Sequence, residues 1–180
     1  MNKGRICLVG VLPLFVMIIS LAVTREAESQ VSVYGGFTAA QISNLEGTNF
    51  LYGPTGGVLA DLRSSHRVDL SAALLASYMR GSGQTFTGLV VGPKLTVATG
   101  KFSPSIEALV GFGRYSDGLG NPASTSTDTL VEGSFALDRT ITKRLDWRLV
   151  QASYSQFFED GNRFHPYSFS TGLVIHIGAR

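Results

Sequence analysis

Apolar and polar side chains alternate along Tyr167–Gly178 (YSFSTGLVIHIG). Tyr167, Phe169, Thr171, Leu173, Ile175 and Ile177 fall on one face, and Ser168, Ser170, Gly172, Val174, His176 and Gly178 on the other. Successive side chains of a β-strand point to opposite faces, so the stretch predicts a strand with one broad apolar wall and one small or polar wall. The same period of two recurs upstream. It predicts further strands over Val31–Ala40, Gly53–Arg63, Arg67–Met79, Thr85–Ala98, Ser103–Tyr115, Thr129–Thr140 and Leu145–Gln156, with Pro166–Gly178 as the eighth. No helical period appears among them, nor any longer repeat.

The faces sort consistently. In the third segment Val68, Leu70, Ala72, Leu74, Ala76 and Tyr78 oppose Asp69, Ser71, Ala73, Leu75, Ser77 and Met79. In the fifth, Ile106, Ala108, Val110 and Phe112 oppose Ser105, Glu107, Leu109, Gly111 and Gly113; in the sixth, Val131, Gly133, Phe135 and Leu137 oppose Glu132, Ser134, Ala136 and Asp138. Charges therefore sit on the non-aromatic face: Asp61, Asp69, Lys94, Glu107 and Glu132. An unpaired buried carboxylate costs several kcal/mol. The charges are tolerable inside a narrow closed sheet, where Lys94, Arg148 and Arg63 can neutralise them. Eight strands give an interior about filled by side chains, so a polar network of Asp61, Asp69, Lys94, Glu107, Glu132 and Arg148 is expected there, with Gly92, Gly111, Gly113 and Gly172 alongside. Pro93 lacks a ladder donor, which predicts a bulge at Gly92-Pro93.

The connections alternate in length. Ser64–His66, Thr99–Phe102 and Ile141–Arg144 are short, whereas Gln41–Tyr52, Arg80–Gln84, Ser116–Asp128 and Phe157–His165 read as longer or more polar links. A meander with short turns at one end and longer loops at the other is the layout of an outer-membrane barrel, and an even strand number puts both termini at the short-turn end. The segments have the length needed to cross a bilayer when tilted by roughly 45°.

The N-terminus changes the picture of the rest. Lys3 and Arg5 precede an apolar run over Ile6–Val23, followed by the polar Thr24–Gln30 with Ala27 and Ser29 at the positions a signal peptidase reads. A signal peptide over 1–29 and a barrel domain over 30–180 are expected; the alternative is an uncleaved anchor. The single cysteine, Cys7, lies inside the apolar run, so the mature domain has no disulfide. A net charge of +2 over 180 residues offers no field for nucleic acid. The 21 glycines, 11 Phe and 6 Tyr suit strands and tight turns. The mean hydropathy of +0.18 is high for a soluble domain and low for a helical membrane protein.

Four stretches, GLVVGPKLTV (88–97), FSPSIEALVGFGR (102–114), GSFALDRTITKRLDWRLVQASY (133–154) and FSTGLVIHIG (169–178), resemble the small eight-stranded outer-membrane barrels similar to the OmpA transmembrane domain, in the porin-family group. The likeness covers most of Gly88–Gly178 and rests on the order and spacing of loose motifs. It implies an outer-membrane location, contact with outer-membrane lipids, and folding by the barrel-assembly machinery. That machinery reads an aromatic-bearing last strand; this chain instead ends Ile177-Gly178-Ala179-Arg180, which weakens the expected signal.

The chemistry is sparse. His66, His165 and His176 lack metal-ligand spacing. There is no G-x-S-x-G elbow, and the nearest Ser/His pair is His165 with Ser168 or Ser170. The run Gly53–Gly57 lacks the lysine of a phosphate loop. Trp147, Tyr115, Tyr78, Phe157 and Phe158 are expected in interfacial aromatic girdles; Phe157, Phe158 and Phe164 are also candidates for sugar stacking. The expectation is an all-β, eight-stranded antiparallel up-and-down transmembrane barrel, monomeric, without cofactor, metal or catalysis, structural and binding through its external loops. Tyr167, Phe169, Leu173, Ile175 and Ile177 should face lipid on the strand that closes the barrel against Val31–Ala40. A soluble barrel carrying a small apolar ligand and a small-conductance porin are the alternatives; the first needs the apolar face turned inward.

Overall fold

The computed structural model describes residues 30–44, 47–65, 67–117, 124–158 and 166–177. The segment 1–29 expected as a signal peptide, with Cys7 and the cut after Ser29, lies outside them, as do His66, His165, Phe164 and the last three residues, 178–180. Eight strands follow one another: β1 (Val31–Asn44), β2 (Gly47–Ser65), β3 (Val68–Gly81), β4 (Gln84–Val97), β5 (Phe102–Asp117), β6 (Ser124–Thr142), β7 (Leu145–Phe158) and β8 (Tyr167–Ile177). Each pairs antiparallel with the next, and β8 closes on β1 from Val31↔Ile177 to Gln41↔Tyr167, so no edge remains.

The strands run further than the alternation suggested. Gln41–Tyr52 was expected as a link, yet β1 and β2 continue through it, and Phe50 and Tyr52 point outward. Arg80–Gln84 shrinks to a two-residue turn, in which Ser82 and Gly83 take φ of 51° and 78°; a primed turn of that kind matches the twist of the flanking strands. Polar residues in these stretches are ladder members because β1, β2, β3 and β4, of 14, 19, 14 and 14 residues, exceed the roughly 9–11 residues a bilayer requires. The surplus forms hairpin ends. Turns at the opposite end remain short, around 98–101 and 143–144.

The ladder winds. A line of paired residues runs from Ala40 through Ser168, Ser153, Ser134, Glu107, Lys94, Ser71 and Asp61, whose amide donates to the carbonyl of Gln30. It rejoins β1 ten residues below its start (40 − 30 = 10). Such a stagger with eight strands gives a tilted barrel whose interior only side chains can fill. The expected bulge at Gly92-Pro93 is absent. Val91↔Val110 and Lys94↔Glu107 keep one register across it (91 + 110 = 94 + 107), and the exposed Pro93 only interrupts pairing to β5. The register shifts lie elsewhere, at Asp61/Arg63 between β2 and β3, at two places between β6 and β7, and at Arg148/Gln151 between β7 and β8.

The apolar face turns outward. Phe37, Ile106, Phe112, Phe135 and Leu89 are exposed, as are Tyr167, Phe169, Leu173, Ile175 and Ile177 of the closing strand. This is the reverse of what a soluble carrier of an apolar ligand requires. Trp147 and Tyr78 stand on the outer wall, near opposite ends. Phe157, expected in a girdle, is instead buried inside and meets Phe86 edge-on at 5.7 Å between ring centroids. Tyr115 also packs inward against this core. Gly113 makes the contact possible: a Cβ there would collide with the Phe157 ring. The side chain of Phe158 lies outside the described set.

Candidate functional site

The interior is stacked in layers, ordered by the register. At mid-height lies an ion cluster. Lys94 comes from β4, Glu107 from β5, Asp138 from β6 and Arg148 from β7, all buried. Arg148 Nε donates to Asp138 Oδ1 at 2.8 Å and Nη2 to Oδ2 at 3.1 Å, a two-pronged contact that fixes the guanidinium plane. Its Nη1 donates to Gln151 Oε1 at 2.8 Å. Lys94 Nζ lies 3.4 Å from Glu107 Oε1 and 3.6 Å from Asp138 Oδ2. Glu107 Oε2 accepts from Ser134 Oγ at 3.0 Å and from Gln151 Nε2 at 3.2 Å. Two cations thus face two carboxylates. The Tyr34 ring covers Arg148 with its centroid 4.4 Å from Cζ, a cation–π contact. Gly36 leaves the room: a Cβ there would strike the Tyr34 hydroxyl end.

The bulge in β7 builds this geometry. Below it, Asp146 and Arg148 face inward; above it, Gln151, Ser153, Ser155 and Phe157 do. The extra residue, between Arg148 and Gln151, switches the inward parity from even to odd. Arg148 and Gln151 can therefore touch, which strict alternation forbids.

Of the expected network residues, Lys94, Glu107 and Arg148 come together, while Asp61, Asp69 and Glu132 stand apart from them. Asp61 accepts from Ser71 Oγ at 2.7 Å and Asp69 from Ser64 Oγ at 2.6 Å, both toward the end where β1 begins and β8 stops. Arg63 neutralises nothing inside, because the register shift beside it turns it outward. Glu132 accepts from Ser155 Oγ at 3.1 Å, in the layer above the cluster. Asp138, Ser134 and Gln151 complete the cluster without having been singled out; Asp138 shares the inward face of its strand with Glu132, the one signal that pointed to it.

Below the cluster, a cavity of about 50 Å³ is lined by Asp61, Asp69, Asp146 and His176, among others. His176 Nδ1 is 2.7 Å from Ser32 Oγ, and Nε2 is 2.8 Å from Asp146 Oδ2. These residues lie on β8, β1 and β7, so the chain of contacts staples the closing strand to both its neighbours. Among the described residues no group of three or more His, Cys, Asp or Glu could hold a metal.

No family model and no curated protein matches this chain. Solved structures do. Neisserial surface protein A aligns with a TM-score of 0.63 at 16% identity, over 81% of this chain and 96% of its own. Ail, the attachment invasion locus protein of Yersinia pestis, aligns at 0.54 and 12% identity, over 84% and 100%. The chain has the fold of the small eight-stranded outer-membrane barrels. The outer membrane enzyme PagL shares it, at 0.53 and 17% identity over 79% and 99%. One barrel fold thus hosts an enzyme alongside a surface protein and an attachment protein, and activity must be argued from the site.

Proposed function

We propose that this barrel is an integral outer-membrane protein without catalysis, held rigid by a filled interior and meeting the outside through its longer hairpins. One observation carries the reading: a wall of exposed Phe, Leu, Ile and Val surrounds a buried cluster of paired charges. In water such a wall would aggregate; in hydrocarbon it is the required surface, and a closed ladder satisfies every strand edge. The lipid-facing role of Tyr167, Phe169, Leu173, Ile175 and Ile177 belongs to this proposal, as does assistance by the barrel-assembly machinery. The hairpins β1–β2 and β5–β6 carry the 19-residue strands β2 and β6 beyond bilayer reach, which supports contacts outside. Ail's printed name, with attachment in it, makes adhesion the class of contact to try first.

The Ser32–His176–Asp146 chain does not favour hydrolysis. Ser32 is buried, and its cavity is lined by Asp61, Asp69 and Asp146. With Asp138 these carboxylates outnumber Lys94, which also lines the cavity, and they oppose the negative charge that acyl transfer develops and a hydrolase must stabilise. Fractionation of cells expressing the full chain tests the location: the protein should follow outer membranes and migrate faster on a gel before boiling than after. Recovery in the soluble periplasm would overturn it. A fluorophosphonate probe should leave Ser32 unlabelled. Planar-bilayer recordings should show no large, stable openings.

A further inference from the structure

Between the ion cluster and the Phe86–Phe157 pair, the interior holds a second cavity of about 50 Å³. Its walls differ in kind. Leu75, Val90 and Leu130 contribute apolar surface, and Ser153, Ser155, Ser168 and Ser170 contribute hydroxyls, with Glu132 two residues from Leu130 on the same face of β6. Glu132 receives the Ser155 hydroxyl at 3.1 Å, but no ion pair to it exists among the described residues. The nearest interior cations are already engaged: Lys94 and Arg148 face Glu107 and Asp138 in the layer below.

A part-buried carboxylate without a counter-charge is held unfavourably. Two agents can relieve it, a proton or a cation. A water needs about 10–15 Å³ of such space, so the chamber has room for an ion and a few waters. The donors on offer are carboxylate, hydroxyl and water oxygens, the ligands of a hard cation. Gln151 Oε1 already accepts from the Arg148 guanidinium, whose positive charge disfavours a second cation there. A lone carboxylate balances one positive charge. Calcium takes six to eight oxygens, with several carboxylates where it binds tightly.

We propose that the chamber binds one monovalent alkali cation, sodium or potassium, between the Glu132 carboxylate, the Ser153 and Ser155 hydroxyls and water. The ion adds a third cation to the interior, beside Lys94 and Arg148. It goes beyond the reading of the barrel as an outer-membrane protein and does not depend on it, because the site is internal and testable in detergent.

The experiment uses the full-length barrel refolded in detergent, crystallised in rubidium or thallium(I) salts, and read by anomalous scattering. A peak in coordinating contact with the Glu132 carboxylate is expected, absent from Glu132→Gln and weakened severalfold in Ser155→Ala. Gel mobility before and after boiling establishes that each variant has folded; if Glu132→Gln does not fold, Glu132→Asp, which shortens the reach by one methylene, should move or weaken the peak. No peak in the chamber, or a peak unchanged by these variants, overturns the proposal. So does a protonated-carboxyl infrared band in the wild type that Glu132→Gln removes, because it identifies the proton as the neutralising agent.

Discussion

Two layers of the interior fill the same barrel by opposite means. The lower one closes with Lys94, Glu107, Asp138 and Arg148; the upper one closes with Leu51, Met79, Phe86, Leu130 and Phe157. Hydrocarbon packing is non-directional and forgives a change of shape when volume is kept. A buried ion cluster is directional and interdependent, so losing one member strands the charges it balanced. Tolerance to mutation should therefore divide by layer more sharply than by burial, since both layers are buried.

The strongest way to break this contrast is Arg148→Ala. It leaves Glu107 and Asp138 facing Lys94 alone, and a loss of about 3–5 kcal/mol is expected. Urea-induced unfolding from lipid vesicles would measure it; a cost under 1 kcal/mol would place the two layers on equal footing. Next comes Gly113→Val, which drives a branched side chain into the Phe157 ring, with an expected cost of about 1–3 kcal/mol by the same assay. His176→Ala follows. It removes contacts to Ser32 and Asp146, and about 1 kcal/mol per lost hydrogen bond should appear as earlier unfolding of the β1–β8 seam in hydrogen exchange. Met79→Leu, in the apolar layer, should cost less than about 1.5 kcal/mol. Gly133→Ala closes the series as the outward control: a Cβ there meets nothing, and stability should change by no more than about 1 kcal/mol.

The alternation made the faces of β3, β5, β6 and β8 legible, because a half-buried strand writes its environment into every second residue. Strand ends were less legible. Gln41–Tyr52 is polar enough to read as a loop, but a hairpin that rises past the apolar zone needs polar side chains on a regular ladder. The composition of the cluster was the least legible part. Which carboxylate meets Arg148 depends on the stagger between strands and on the β7 bulge, and neither leaves a local mark. That is why Glu132 was expected in the network while Asp138 holds the place.

The position of the Tyr34 ring over Arg148 has a consequence for the order of folding. Tyr34 belongs to the first strand and Arg148 to the seventh, and the only route between them across the ladder without traversing the whole sheet is through β8. The guanidinium thus gets its cover only when the last strand has met the first. Contacts of such long sequence separation form late and slowly. Completion of the charged layer and closure of the barrel become one kinetic event, so a half-inserted chain would expose an uncovered cation and an open edge together.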